Sequence, residues 1–437
     1  MRKKRSWIMI VLAGMLLSFF QPMEYASAEE KQTQVDLVPH AKSAILMDAD
    51  SGTVMYEKNA HDQLPPASIT KIMSMLLIME AIDEGKIGMD DMVMTSEYAS
   101  SMGGSQIFLE PGEQMSVRHM LMGIAMASGN DATVAMAEKI AGSEEMFVNM
   151  MNEKSKQLGL ANTHFANTNG LPANEHYSSA HDIAVISREL LKYEHITTFT
   201  GKYQDYLRQD SDKPFWLVNT NKLVRFYPGA DGLKTGYTSE AKFCLAATAK
   251  RKDFRIIAVV LGEPNTKTRN AEVSQLFDYA FAQYENVPLY QKGEVMGTAP
   301  VRKGQEESYP IIADQRYSML LKKGQKHGEW RHDLEMNELN APIHKGDEIG
   351  KLVIRDEETV LKEFPLYADH EIGKAGWWKL FKRSMKNMIV LGKKDEPDRK
   401  EEPSVEEPAD ENQPKQQKLD EMKEKKETKE NQETKEK

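Results

Sequence analysis

The sequence predicts an α+β protein in which helices pack on an antiparallel sheet, followed by a small all-β domain. Three observations lead there. Strand-like segments stand at both ends of the stretch from Ala41 to Leu261, with helical segments between them. One of those helical segments, opening at Ser68, is apolar nearly all round and therefore calls for a large core. Beyond Val287, short strand-like segments alternate with turns at the spacing of a small all-β domain.

At the N-terminus, Arg2, Lys3, Lys4 and Arg5 precede a mostly apolar run from Trp7 to Phe20. Pro22 breaks it, and Ala26-Ser27-Ala28 follows. A positive cluster, a short apolar stretch and an A-x-A site describe a secretory signal peptide over residues 1–28, cleaved after Ala28. The run has 14 residues, whereas a membrane span takes about 20; an uncleaved anchor is the competing reading.

The stretch from Ala41 to Tyr56 reads as a β-hairpin, with S-A-I-L-M-D and T-V-M-Y flanking the turn residues Asp48 to Gly52. Pro65 and Pro66 stop regular structure, and the run I-T-K-I-M-S-M-L-L-I-M-E-A-I after Ser68 is helical in length and composition. Further helices are expected at Val117–Met126, Asp131–Ala141, Glu144–Leu158 and Ala180–Tyr193. Gly232 to Ala249 and Phe254 to Leu261 read as adjacent strands, and Glu272 to Tyr284 as a closing helix. Residues 29–290 are thus assigned to the helix-and-sheet domain. Residues 291–372, with E-V-M-G-T-A-P-V, Y-S-M-L-L and E-I-G-K-L-V-I-R between turn-like K-G-Q and K-G-D, are assigned to the β domain.

Residues 373–392 hold one more helix. At about 100° per residue, Trp377, Trp378, Leu380, Phe381, Met385, Met388, Ile389 and Leu391 share one side, and Lys379, Lys382, Arg383 and Lys386 the other, with Val390 alone out of place. Aromatic and aliphatic residues opposite a uniformly basic face are the pattern of a helix lying in a membrane surface, over residues 377–391. Docking of an ordinary amphipathic helix on the β domain is the alternative. Residues 393–437 are mostly Lys, Glu, Asp, Gln and Pro with no aromatic residue, and are expected to be disordered.

Composition excludes some functions. The formal charge is −10 and no long basic surface stands out in the folded region, which argues against a nucleic-acid partner. The single cysteine, Cys244, has no internal disulfide partner, and its apolar setting F-C-L-A-A-T-A reads as a buried strand and not a nucleophile. His164, His176 and His181 show no metal-ligand spacing, so no metal or cofactor is expected.

Three short motifs carry chemistry: Ser68-Ile69-Thr70-Lys71, Ser128-Gly129-Asn130 and Lys234-Thr235-Gly236. A serine needs a base to become a nucleophile, and residues three apart on a helix share a face, so Lys71 stands beside Ser68. Burial among Ile69, Ile72 and Met73, and a second cation in Lys234, would lower the Lys71 pKa far enough for it to act as that base. At a helix start the Ser68 N–H is free to face an oxyanion. Ser128 can relay a proton toward a leaving amine, and Asn130 can accept from Lys71 and donate to a substrate carbonyl. Lys234 and Thr235 offer a cation and a hydroxyl to a substrate carboxylate. Gly236, on a probable edge strand, would let a substrate backbone lie close, and the N–H of Tyr237 is a second candidate oxyanion donor.

In that order the three motifs resemble the signature of penicillin-binding proteins and serine β-lactamases, with Gly129 where S-D-N has aspartate. S-G-N is similar to the low-molecular-mass D-alanyl-D-alanine carboxypeptidases. So are A-S-I-T-K, A-S-G-N-D-A from Ala127, N-G-L-P from Asn169, D-G-L-K-T-G from Asp231 and the T-K-T-R run ending at Arg269. The resemblance covers roughly residues 35 to 390 and implies a β-lactamase/transpeptidase-like catalytic domain, exported and attached to the outer face of the cytoplasmic membrane. It implies that Ser68 attacks the carbonyl between two D-alanines of a peptidoglycan stem peptide and releases the last one, with Lys71 as general base. Water would then hydrolyse the acyl-enzyme. Ser128, Lys234 and Thr235 would take the roles above, and Arg269 would join the carboxylate clamp. β-Lactam antibiotics would acylate the same serine as covalent inhibitors. A β-lactamase is the rival reading, but no E-x-x-L-N segment lies between Ser128 and Lys234. A penicillin sensor that acylates without processing peptides, and a transpeptidase or endopeptidase, remain alternatives.

Overall fold

The computed structural model describes residues 36–325 and 328–391. The expected signal peptide and the charged tail lie outside the described residues. A five-stranded antiparallel sheet organises the first part of the chain. Its strands are β1 (Ser43–Asp48), β2 (Val54–Lys58), β3 (Ala230–Thr238), β4 (Lys242–Arg251) and β5 (Phe254–Glu263), in the spatial order β2-β1-β5-β4-β3. The stretch expected as one strand from Gly232 to Ala249 is a hairpin, because Ser239, Glu240 and Ala241 turn the chain between β3 and β4.

Both faces of this sheet are buried, which is why β4 and β5 read as almost continuous apolar runs. Alternation sorts their side chains. Ile257, Val259 and Leu261 join the larger core with the helices α1 (Lys71–Asp83), α2 (Val117–Met122), α3 (Asn130–Ala141), α4 (Glu144–Gln157) and α5 (Ala180–Leu190). Ile256, Ala258 and Val260 face the other way, onto Val273, Leu276, Phe277 and Ala280 of α6 (Thr266–Gln283). The closing helix thus begins six residues before its expected start at Glu272, capped by Asn265, whose side chain accepts from the Thr268 N–H. Helix α1 is buried on every side from Lys71 to Met79, as its all-round apolar sequence requires. Cys244 lies buried in β4, and desolvation pushes its thiol up to about 11, out of nucleophile range.

The β-rich region begins at Tyr284, ahead of the expected boundary near 290. Strand β6 (Tyr284–Tyr290) leaves α6 directly and pairs with β9 (Tyr317–Lys322). With it come β7 (Val295–Arg302), β8 (Ser308–Ile312), β10 (Arg331–Met336), β11 (Leu339–Asn340), β12 (Glu348–Asp356) and β13 (Thr359–Tyr367) around a separate core that includes Tyr309, Tyr317, Leu352 and Phe364. The junction with the first part is polar: Asn286 donates to Asp48 and Asp50, and Ser318 donates to Asp50 at 3.1 Å.

Helix α7 (Trp377–Leu391) belongs to a second unit, from Lys374 on, and keeps its expected bounds. Trp377, Trp378, Phe381 and Met385 are exposed on it. Among the described residues no helix is long and apolar enough to cross a membrane.

Candidate active site

Ser68 sits in a 3-10 turn, Ala67–Thr70, that runs directly into α1. This places it one turn ahead of Lys71 at the N-terminal end of the buried helix. Lys71 is fully buried, and its Nζ has three oxygen neighbours: Asn130 Oδ1 at 2.6 Å, the Asn169 carbonyl at 2.7 Å and Ser68 Oγ at 3.3 Å. Desolvation, and after it the charge of Lys234, hold the Lys71 pKa well below the ordinary lysine value. A neutral amine has two N–H donors and one lone pair. In that form Asn130 and Asn169, at the shorter distances, would take the two donors and leave the lone pair for the Ser68 hydroxyl.

Asn130 opens α3, and its own amide donates to the Gly103 carbonyl at 2.6 Å. Before it, Ser128 ends a π-helical turn, Gly123–Ala127, with φ at +64°, a conformation that costs a non-glycine residue free energy. The helix expected from Val117 to Met126 therefore changes character after Met122. The Ser128 Oγ is buried and has no hydrogen-bond partner among the described residues. Gly129 has a local reason: a Cβ there would fall 2.9 Å from Asp131 Oδ1. The Asp131 carboxylate is committed to the N–H groups of Ile107, Leu109 and Ala132, so an aspartate in the middle of this motif would meet a carboxylate already in place.

The third motif lies on β3, which is the edge of the sheet as expected. Gly236 packs against the nucleophile turn: a Cβ would stand 3.0 Å from the Pro66 carbonyl and 3.1 Å from Ala67 Cβ. The glycine thus has a packing reason within the protein itself, since a side chain there would press on the Pro66 carbonyl and on Ala67. Lys234 is buried, donates to the Thr235 carbonyl at 2.9 Å, and has its pKa drawn down to about 7 by desolvation and by Arg269. The Thr235 hydroxyl donates to Thr220 Oγ1 at 2.7 Å. Arg269 is buried in the first turn of α6, bonded to Asn270 Oδ1, and desolvation lowers its pKa to about 10. Tyr237 turns its ring outward against Phe243, 4.4 Å between centroids.

Ser68, Lys71 and Asn130 are therefore joined by hydrogen bonds, the charge of Lys234 acts on Lys71, and that of Arg269 acts on Lys234. The Ser128 hydroxyl makes no bond to this set. Sequence reasoning missed Asn169 and Thr220 as partners. Asn169 acts through its main-chain carbonyl, which no side-chain pattern reports, and Thr220 stands in N-T-N with no motif of its own.

The chain matches the family model for D-alanyl-D-alanine carboxypeptidase over residues 28–265, and that for the penicillin-binding protein 5 C-terminal domain over residues 284–374. It is 53% identical over 376 residues to the D-alanyl-D-alanine carboxypeptidase DacF of Bacillus subtilis (strain 168), covering 86% of this chain and 96% of that one. DacA of Escherichia coli (strain K12) is 32% identical over 374 residues, 83% of this chain and 92% of that one. Among solved structures, penicillin binding protein 5 from Haemophilus influenzae superposes with a TM-score of 0.61 at 32% identity, covering 77% of this chain and 98% of that one. A serine-to-alanine mutant of the Streptomyces K15 DD-transpeptidase gives a TM-score of 0.52 at 29% identity, over 56% of this chain and 98% of that one. Motifs, fold and relatives agree: this chain belongs to the D-alanyl-D-alanine carboxypeptidases, serine peptidases of the low-molecular-mass penicillin-binding class.

Proposed function

We propose that the enzyme removes the terminal D-alanine from peptidoglycan stem pentapeptides through an acyl-enzyme on Ser68, outside the cytoplasmic membrane. The observation that carries this reading is the Lys71 amine, buried, depressed in pKa and left with a lone pair for the Ser68 hydroxyl. Lys71 takes the Ser68 proton as Oγ attacks the carbonyl between the two D-alanines. The N–H groups of Ser68 and Tyr237 receive the oxyanion. The proton taken up by Lys71 then passes through Ser128, whose buried hydroxyl has no partner among the described residues, to the departing D-alanine amine. Lys234, Thr235 and Arg269 hold the substrate carboxylate, and Asn130 orients the acyl side. Water then attacks the ester and frees Ser68. β-Lactams acylate the same serine because they present a carbonyl and a carboxylate in the same relation.

Export depends on residues 1–28, and α7 attaches the enzyme to the membrane surface through its aromatic face. The decisive experiment is mass spectrometry of a stem pentapeptide incubated with protein lacking residues 1–28. Loss of one D-alanine, abolished in Ser68→Ala, is the expected result; D-alanine release by Ser68→Ala would remove Ser68 from the mechanism. A transpeptidase reading is kept by the likeness to the Streptomyces K15 enzyme, and a cross-linked product in the same spectrum, formed when an acceptor amine is added, would favour it.

A further inference from the structure

His176 is buried, and its two ring nitrogens have separate partners. Nδ1 accepts from the Ala166 N–H at 3.0 Å, so the ring proton resides on Nε2. Nε2 therefore donates to Thr70 Oγ1 at 2.8 Å, and the Thr70 hydroxyl in turn donates to the Ala67 carbonyl at 2.8 Å. Each link has one direction only. The far end of the chain is the turn that carries Ser68, where Ala67 is held at φ +49°, a left-handed conformation that an alanine adopts only under constraint.

The same loop grips this region twice more. Gly170 lies so close that a Cβ would fall 1.9 Å from the Ala67 carbonyl, and Asn169 directs its carbonyl to Lys71. One loop thus fixes the nucleophile turn and the base together. We propose that His176 is a positioning residue for acylation, holding the Ser68 turn in register with Lys71 through Thr70. Protonating the ring would set an Nδ1 proton against the Ala166 N–H. Burial, and after it the charge of His164, draw the His176 pKa down to about 4, so the arrangement persists at neutral pH.

The inference rests on Ser68 being the acylated serine. It is tested with the full chain, by the rate of acylation with labelled penicillin and by kcat and KM for D-alanine release, in His176→Phe, His176→Gln and Thr70→Val. Phenylalanine fills the ring volume without a donor, whereas glutamine restores an N–H near the position of Nε2. Displacement of a reacting group by about 1 Å costs roughly a hundredfold. Acylation and kcat should fall by about that factor in His176→Phe and Thr70→Val, with KM near the wild-type value and substantial recovery in His176→Gln. Thr70→Val exchanges one hydroxyl for a methyl and carries the test if the ring variants unfold. Wild-type labelling of Ser68 in His176→Phe, or a glutamine variant no better than phenylalanine, would overturn the inference alone. Label recovered on another serine would overturn the assignment of Ser68 and the inference with it.

Discussion

The main-chain carbonyl of Asn169 stands 2.7 Å from Lys71 Nζ, across 98 residues of chain. It gives the base a fixed acceptor that no side-chain substitution removes. In the proposed mechanism it acts together with Asn130 to direct the lone pair of the neutral amine toward Ser68.

Activity should be bell-shaped in pH. Lys71 is a base only when neutral, so the rate rises as pH climbs through its pKa, which burial and Lys234 hold well below the ordinary lysine range. Lys234 attracts a carboxylate only when charged. Its contribution is present below its pKa of about 7 in the free enzyme and is lost above it. A bound carboxylate favours the charged form, so the alkaline limb should lie higher in kcat than in kcat/KM. Lys234→Arg, whose guanidinium does not titrate in this range, should move that limb upward. An unchanged limb in pH profiles of D-alanine release would assign it to another group.

Removing the base should separate binding from chemistry. Lys71→Ala is expected to slow acylation by labelled penicillin by about 10²- to 10⁴-fold, because Ser68 keeps its place but loses its proton acceptor. Stopped-time gel fluorescence measures this. Acylation at the wild-type rate would exclude Lys71 as the base.

Gly170→Ala tests how tightly the loop presses on the nucleophile turn. The added methyl would meet the Ala67 carbonyl at 1.9 Å, on a backbone with φ of +86°. Relief requires backbone movement, and a loss of about 3 kcal/mol is expected from overpacking and strain. Thermal melts would show it, and acylation should fall in parallel. A variant as stable as wild type would mean that the loop shifts freely.

Attachment through α7 predicts a dependence on lipid charge. The exposed Trp377, Trp378 and Phe381 supply an apolar face, and Lys379 and Lys382 lie on the opposite side of the helix wheel. Co-sedimentation with anionic vesicles should be strong, weaker with neutral vesicles, and reduced by salt. Trp377→Ser with Trp378→Ser and Phe381→Ser should abolish it while D-alanine release from a soluble peptide is retained. Undiminished sedimentation of the triple variant would remove the helix as the anchor.

Much of the fold and of the site is legible in the sequence. Length and apolar composition place α1, and α3, α4, α5 and α7 also fall within a few residues of their expected bounds. Gly142 after α3, Ser143 before α4 and Ser179 before α5 add stop and start signals. The three motifs are legible because side-chain chemistry at short spacing is written directly in the chain. The hairpin at Ser239–Ala241 is not, since apolar strands buried on both faces lose the alternation that marks their ends. What the sequence determined by itself is the set of reactive groups: a serine, an amine three residues on, a hydroxyl with an amide, and a cationic edge strand. Only the tertiary structure decided their relations. It chose a backbone carbonyl at Asn169 as the partner of Lys71, a hydroxyl at Thr220 for Thr235, and a neutral ring at His176 behind Ser68. Those contacts join segments far apart in the chain through main-chain atoms and buried polar groups, and no local pattern encodes them.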